Sequence, residues 1–209
     1  MKSVLAFGDS NTWGLIPGSK EPERYPRELR WTGVLQNICP LVRIIEEGLC
    51  GRTTALEDES RPGRNGAKAL ELILEMHHPL DAAVAMLGTN DCKSVYSASS
   101  AAIGKGMELC LDVMEGYIPP HRILLVSPMW LGPDVWRQEK DPEFGKQSIV
   151  TCRELRDVYR GIAEKRGTAF LAASDHVRAD SADDEHMNEE GHRIFALAIY
   201  GKLKEMNIV

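Results

Sequence analysis

The stretch SVLAFGDSNTWG, residues 3–14, determines the fold that the sequence predicts. Its first residues are mostly apolar, which is typical of a buried strand in a parallel sheet. The pattern breaks at Gly8, and Ser10 follows among small and polar residues. A serine that leaves the carboxyl end of a strand lies where open α/β sheets bind ligands. Two interpretations stay open for this turn: a reactive Ser10, or an ordinary helix cap formed by Asp9, Ser10 or Asn11.

Apolar runs of strand length recur along the chain and alternate with helical patterns. Strands are predicted over Val4–Phe7, Leu41–Ile45, Ala82–Leu87, Ile123–Ser127 and Thr168–Leu171. Apolar residues at helical spacing predict helices over Trp31–Ile38, Ala67–Met76, Ala101–Met114, Ser148–Lys165 and Glu189–Met206. Such alternation indicates a parallel sheet that is covered on both faces. We therefore expect an α/β fold, a flavodoxin-like three-layer sandwich with a five-stranded parallel sheet.

Composition and charge argue against several classes of protein. The 209 residues are 43% hydrophobic and 27% charged, as expected for one globular domain over residues 1–209. The formal net charge of −6 offers no electrostatic basis for binding nucleic acid. No apolar run has the length of a membrane span, and the first residues lack a signal-peptide layout. We expect a cytoplasmic protein that binds neither nucleic acid nor membrane.

The cysteines indicate neither a zinc site nor a disulfide framework. There are five, they are scattered, and none forms a CxxC pair. Most are expected to be buried as small apolar residues. Cys50 and Cys92 are of interest because each adjoins a stretch with candidate functional residues.

Three further stretches carry residues suited to chemistry. Gly51 follows the second strand, where a glycine lets a backbone N–H approach a ligand closely. Asn90 follows the third strand, where its amide either donates to a developing negative charge or forms an ordinary Asx turn. Asp183 and His186 are three residues apart. A tight turn would let this carboxylate hold the imidazole in one tautomer, although a solvated acidic loop has the same pattern.

Two connections are longer than loops between strands and helices usually are: Gly14–Arg30 and Met129–Gly145. Trp13 directly precedes the first, and Trp130 and Trp136 lie on the second. Rings at this edge of the sheet would line a pocket. Alternatively, they cover the core or contact another subunit.

Four short stretches resemble, in order, the sequence blocks of the SGNH hydrolases, also called GDSL-type esterases. They are GDSN at 8–11, Gly51, GTND at 88–91, and Asp183-x-x-His186. The first reads GDSN where the commoner family form is GDSL, a variant that keeps the serine. The segments RWTGVLQ at 30–36 and EEGL at 46–49 resemble the arylesterase and acyltransferase branch. The resemblance extends over nearly the whole chain.

This resemblance implies a serine hydrolase that forms an acyl-enzyme. Ser10 would be the nucleophile, His186 the general base and Asp183 the carboxylate that orients the base. The N–H groups of Ser10 and Gly51 and the side chain of Asn90 would form the oxyanion hole. No metal or organic cofactor is implied.

The predicted activity is hydrolysis of short-chain acyl esters, acetyl or aryl esters above all. Asp9, Trp13 and Trp130 are predicted to contact this small-molecule substrate. Carbohydrate deacetylation and thioester hydrolysis would use the same catalytic residues and stay open, as does assembly into a homo-oligomer. The non-enzyme alternative is a flavodoxin-like module that binds FMN or a phosphate. Against it, no Gly-rich or Ser/Thr-rich phosphate loop follows the first strand.

Overall fold

A five-stranded parallel sheet lies at the centre of the molecule. The computed structural model describes residues 1–209. The strands are β1 (Lys2–Gly8), β2 (Val42–Gly48), β3 (Ala82–Met86), β4 (Ile123–Ser127) and β5 (Ala169–Ala172). They pair in the order β2-β1-β3-β4-β5, and every pair is parallel. This is the flavodoxin-like order, so the predicted α/β fold is confirmed.

Helices cover both faces of the sheet. They are α1 (Ser10–Trp13), α2 (Trp31–Ile38), α3 (Gly66–His77), α4 (Ser100–Glu115), α5 (Lys146–Arg166) and α6 (Glu189–Glu205). Side chains alternate along β1, so Leu5 and Phe7 join a core with α3, α4 and α5. Val4 and Ala6 join a second core with α2 and α6 on the opposite face. Because both faces are covered, β1 reads as a continuous apolar run.

The second strand differs at both ends from its predicted span. Leu41 is 82% exposed and precedes the strand. The strand also continues through Gly48, with Glu46 and Glu47 paired in register with β1. These glutamates are tolerated because each has a partner: Glu46 forms ion pairs with arginines of the connection between α1 and α2, and Glu47 bonds to His77 at 2.8 Å. Charged residues that are paired in this way do not mark the end of a strand.

The strand order places the candidate site. Because β2 lies on one side of β1 and β3 on the other, the sheet reverses direction of winding between β1 and β3. Ligands in such sheets bind at the carboxyl ends of the strands beside this reversal. Ser10 follows β1 and Asn90 follows β3, so the two turns lie side by side there. Among the helices, none combines the length and the apolar character needed to cross a bilayer.

Candidate active site

Ser10 is the first residue of α1, directly after β1. Asp9 is the N-cap of this short helix, and its Oδ1 accepts the N–H of Asn11 at 3.0 Å. The helix-cap interpretation of the turn is confirmed for Asp9, and the reactivity of Ser10, the first residue of the helix, stays a prediction. Ser10 is 3% exposed, and its own N–H donates to no group of the protein.

The side chains of Ser10, His186 and Asp183 form a continuous hydrogen-bonded series. Ser10 Oγ lies 2.9 Å from His186 Nε2, and His186 Nδ1 lies 2.8 Å from Asp183 Oδ2. The other oxygen, Asp183 Oδ1, accepts the backbone N–H groups of Glu185 and His186, both at 2.9 Å. One aspartate thus builds the turn and holds the ring. In the neutral ring, Nδ1–H donates to Asp183 and Nε2 is left to accept the hydroxyl proton of Ser10.

The neighbouring Asp184 has a different role. Its backbone is in the left-handed region, with φ +61, which directs its side chain away from the imidazole. Its carboxylate lies 2.7 Å from Lys140 Nζ and accepts the N–H of Asp134 at 2.8 Å. Asp184 therefore ties the turn that carries His186 to the long connection after β4, whereas Asp183 contacts the ring.

Asn11 joins the serine turn to the histidine turn. Its Oδ1 accepts the N–H of Met187 at 3.0 Å, and its Nδ2 donates to the carbonyl of Glu185 at 3.3 Å. These two backbone groups flank His186 on either side. Because Asn11 directly follows Ser10, one amide side chain fixes the imidazole relative to the hydroxyl. From the sequence, Asn11 is expected only as a helix cap and as the last residue of the GDSN block.

His186 lies between two carboxyl groups that favour its protonated form. Burial opposes the charged imidazolium, but the nearby Glu185 carboxylate and the hydrogen bond with Asp183 outweigh it and raise the pKa of His186 to about 9. Burial also opposes ionisation of Asp183, yet its hydrogen bond with His186 lowers the pKa of Asp183 to about 2. At neutral pH the resting site therefore holds an imidazolium, which has to lose a proton before it can act as a base.

Glu185 is a third carboxyl group at this site, and the sequence analysis did not identify it. The residue is 5% exposed, and its Oε1 lies 3.7 Å from His186 Nε2, the nitrogen that faces Ser10. Its hydrogen bonds to the rest of the protein run through its backbone N–H and C=O. Burial raises the pKa of the Glu185 carboxyl to about 7. An acidic run at 183–185 is typical of a solvated turn, so no sequence signal distinguished this residue.

Each of the three residues expected to form the oxyanion hole has an N–H group that donates to no other group of the protein. Gly51 has φ +81, a conformation that favours glycine, and its N–H donates to no group of the protein. Asn90 is 2% exposed, and its Nδ2 donates to the carbonyl of Arg52 at 3.1 Å. A side-chain amide carries two N–H donors, so Asn90 keeps one. Together with the N–H of Ser10, these groups can stabilise a negative oxygen.

The structure does not support the predicted substrate contact of Asp9. This residue is 1% exposed and caps α1 through Oδ1, while Oδ2 is buried without a partner. Burial raises the pKa of Asp9 to about 6. The carboxyl group thus serves the turn that carries Ser10 and lies beneath it rather than on an open surface.

The two tryptophans that are predicted to contact the substrate pack against arginine side chains. The Arg24 guanidinium lies 4.9 Å from the ring centre of Trp13, which is half-buried. Trp130 lies between Arg153 and Arg178, at 5.5 and 5.6 Å from its ring centre. These contacts attach Trp130 to α5 and to the segment after β5, and its contact with the substrate stays a prediction. Cation–π stacking of this kind has no signature in sequence spacing.

The cysteines beside the site are unsuited to act as nucleophiles. Burial raises the pKa of Cys50 to about 11, so its thiol stays protonated at neutral pH. Cys92 is buried, and its Sγ lies 3.3 Å from the carbonyl oxygen of Gly88. No group of three or more His, Cys, Asp and Glu side chains is arranged to hold a metal ion.

A polar cleft of about 690 Å³ lies beside the turn that carries Gly51. It is formed by three loop segments: 57–61, 93–96 and 142–143. Arg61 connects it to the site, since a Cβ placed on Gly51 would lie 3.1 Å from the Arg61 guanidinium. Lys93 forms an ion pair with Glu143 at the cleft. Only two of the eleven lining residues are hydrophobic, so the cleft suits a polar group.

Known proteins resemble this chain over its whole length. The model of the GDSL-like lipase/acylhydrolase family matches residues 6–194. Est24, a carbohydrate acetylesterase from Sinorhizobium meliloti, is 35% identical, with a TM-score of 0.90 over 99% of this chain and 100% of its own. The inhibitor-bound aryl esterase of M. smegmatis is 31% identical, with a TM-score of 0.90 and the same coverage. Among curated proteins, the search found no match. The chain therefore belongs to the GDSL-like lipase/acylhydrolase, or SGNH, family of carboxylic ester hydrolases.

Proposed function

We propose that this chain hydrolyses esters of short carboxylic acids, acetyl esters above all, through an acyl-enzyme on Ser10. The observation that carries the proposal is the hydrogen-bonded series from Ser10 Oγ through His186 to Asp183, at 2.9 and 2.8 Å. A serine hydroxyl is a weak nucleophile until a neighbouring base takes its proton. This geometry supplies the base, and the base has an orienting carboxylate.

In the first half of the reaction, neutral His186 accepts the proton of Ser10 as the oxygen attacks the ester carbonyl. The carbonyl oxygen becomes negative and receives N–H groups from Ser10, Gly51 and Asn90. His186, now an imidazolium stabilised by Asp183, gives its proton to the departing alcohol. Water then repeats the sequence on the acyl-enzyme and releases the acid.

The preference for short acyl groups is supported by the burial of the site. Ser10 is 3% exposed and His186 is 7% exposed, so little of the reacting centre is accessible to a large group. A long acyl chain needs a continuous apolar surface, and the large cleft beside Gly51 is lined by only two hydrophobic residues. An acetyl group requires no such surface.

A second candidate substrate is an acetylated carbohydrate. The polar cleft favours it, because sugar hydroxyl groups can bond to charged and polar side chains. Est24, with 35% identity, is a carbohydrate acetylesterase. Acyl-CoA thioesters are disfavoured, because the four carboxylates that line the cleft outnumber its two cations, Arg61 and Lys93, and the net negative charge would repel phosphates.

Steady-state kinetics with p-nitrophenyl acetate and p-nitrophenyl octanoate tests the proposal. The wild-type protein is expected to hydrolyse the acetate with the higher kcat/KM. Ser10→Ala should lower kcat by at least about 10³-fold, because the residual rate comes from binding and oxyanion donors alone. Circular dichroism of the variant confirms that it is folded.

Two results would contradict different parts of this proposal. A folded Ser10→Ala variant with wild-type turnover would exclude the acyl-enzyme on this serine. A higher kcat/KM for the octanoate would exclude the short-acyl preference and leave the nucleophile in place.

A further inference from the structure

Glu185 presents a buried carboxyl group to the side of His186 where bonds are made and broken. Its Oε1 lies 3.7 Å from His186 Nε2, and Ser10 Oγ lies 2.9 Å from the same nitrogen. Asp183 lies on the opposite side of the ring, at Nδ1. The two carboxyl groups therefore differ in role: Asp183 holds the ring, whereas Glu185 faces the reactants.

The position of Glu185 relative to a substrate follows from the proton transfer. The leaving oxygen of an ester must come within hydrogen-bond distance of His186 Nε2 to receive its proton. A carboxyl oxygen 3.7 Å from that nitrogen is therefore close to the leaving oxygen and to the first atoms attached to it. The alcohol part of the ester, and not its acyl part, meets Glu185.

When His186 is neutral, as it has to be to act as a base, the Glu185 carboxyl has no other cation within ion-pair distance. The nearby Lys93 forms an ion pair with Glu143. Asp141 and Asp183 also act electrostatically on Glu185 and add negative charge. The side chain of Glu185 is 6% exposed, so water compensates its charge poorly.

We propose that Glu185 is a specificity-determining residue that selects esters of cationic alcohols, with an ammonium group near the ester oxygen, over neutral esters of the same shape. The proposal rests on the ester hydrolysis through Ser10 proposed above. An ammonium group held beside Glu185 gives the buried carboxylate a counter-charge in the form of the site whose imidazole is neutral. The same carboxylate gives no such advantage to an uncharged alkyl group.

The protonation state of Glu185 gives the selection a pH dependence. Burial raises the pKa of this carboxyl to about 7, and the charged groups that face it are His186, Lys93, Asp141 and Asp183. Above pH 7 the carboxylate predominates and attracts a cation. Well below pH 7 the protonated acid has no net charge, so the selection weakens.

Acetylcholine and 3,3-dimethylbutyl acetate form the test pair, because they have nearly the same shape and differ by one positive charge. At pH 8 the wild-type kcat/KM for acetylcholine is expected to exceed that for the neutral ester by about tenfold. Glu185→Gln should lower this ratio to about one, while Glu185→Asp should retain part of it. Taking a ratio at one pH cancels any change in the basicity of His186 that both substrates share.

Glu190→Gln is the matched control for net charge. Glu190 lies on the first turn of α6, where it pairs with Arg193 at 2.6 Å. This control is expected to keep the wild-type ratio. A wild-type ratio of one or less, or an unchanged ratio in folded Glu185→Gln, would overturn the proposal while p-nitrophenyl acetate is still hydrolysed. Loss of all acetate hydrolysis in the wild-type protein would instead overturn the proposed function.

Discussion

His186 lies in the turn before α6, and His192 lies in α6 itself. Both are buried, yet the pKa of His186 is raised and the pKa of His192 is lowered. His192 is fully buried in α6, and its Nδ1 accepts the N–H of Trp31 at 3.3 Å. Burial, with the charges of His186 and Arg30, lowers the pKa of His192 to about 4. For His186 the carboxyl groups outweigh burial and raise the pKa to about 9.

The comparison separates two effects that sequence spacing cannot distinguish. Burial alone makes an imidazole a neutral packing group that accepts one hydrogen bond. Carboxyl groups at both ring nitrogens raise the pKa of a buried imidazole, as they do for His186. His192 therefore shows what His186 would be without Asp183 and Glu185.

Asp183 is one of the two carboxyl groups that distinguish His186 from His192, and removal of its charge should lower turnover the most. Asp183→Asn keeps the shape of the side chain but favours the wrong imidazole tautomer, so we expect kcat to fall on the order of 10³- to 10⁴-fold. The measurement is kcat for p-nitrophenyl acetate at pH 8. Asp184→Asn provides the comparison, because Asp184 contacts Lys140 and not the ring. Greater damage from Asp184→Asn would show that the assignment is wrong.

Removal of the charge on Glu185 should move the pH profile rather than abolish activity. The base must be neutral, so wild-type kcat/KM for p-nitrophenyl acetate should rise with pH up to about 9, the pKa of His186. Glu185→Gln removes a negative charge that raises this pKa. The acidic limb should therefore move to lower pH by about one unit or more, with a gain of activity near pH 7. An unmoved limb would mean that Glu185 does not act on His186.

Removal of the hydrogen-bond acceptor at His192 should affect stability and leave turnover nearly unchanged. His192→Leu leaves the N–H of Trp31 buried without a partner, which lowers the free energy of unfolding by about 1–3 kcal/mol. Urea unfolding measures this loss, and kcat should stay within about threefold of wild type because the group carries no proton in the reaction. Loss of turnover in a folded variant would place His192 in the chemistry.

Much of the fold could be predicted because the signals are local. The apolar runs, the helical spacing and the break at Gly8 each occupy a few residues, and the observed strand order matches the expectation. The errors arose where a distant partner changes the meaning of a residue. Glu46 belongs to β2 because arginines of the connection after α1 neutralise it, and Leu41 is apolar yet exposed.

The residues of the candidate site differ in the same way: those with a local signal could be predicted, and those that depend on distant partners could not. Ser10 and the Asp183–His186 spacing could be identified because each lies in one short turn. Glu185 could not, because three consecutive acidic residues give no sign of which carboxylate is buried. The contacts of Trp130 depend on arginines that lie 23 and 48 positions further along the chain.

The amide of Asn11 has a consequence for how activity arises during synthesis. It bonds to the N–H of Met187, 176 positions away, and the contact of Ser10 with His186 spans the same separation. Since a nascent chain emerges from its N-terminus, Ser10 is made well before His186. Until the turn that bears His186 has docked on α1, the hydroxyl of Ser10 has no imidazole beside it. The hydrogen bond between Ser10 and His186 thus forms only after the intervening 175 residues have been synthesised.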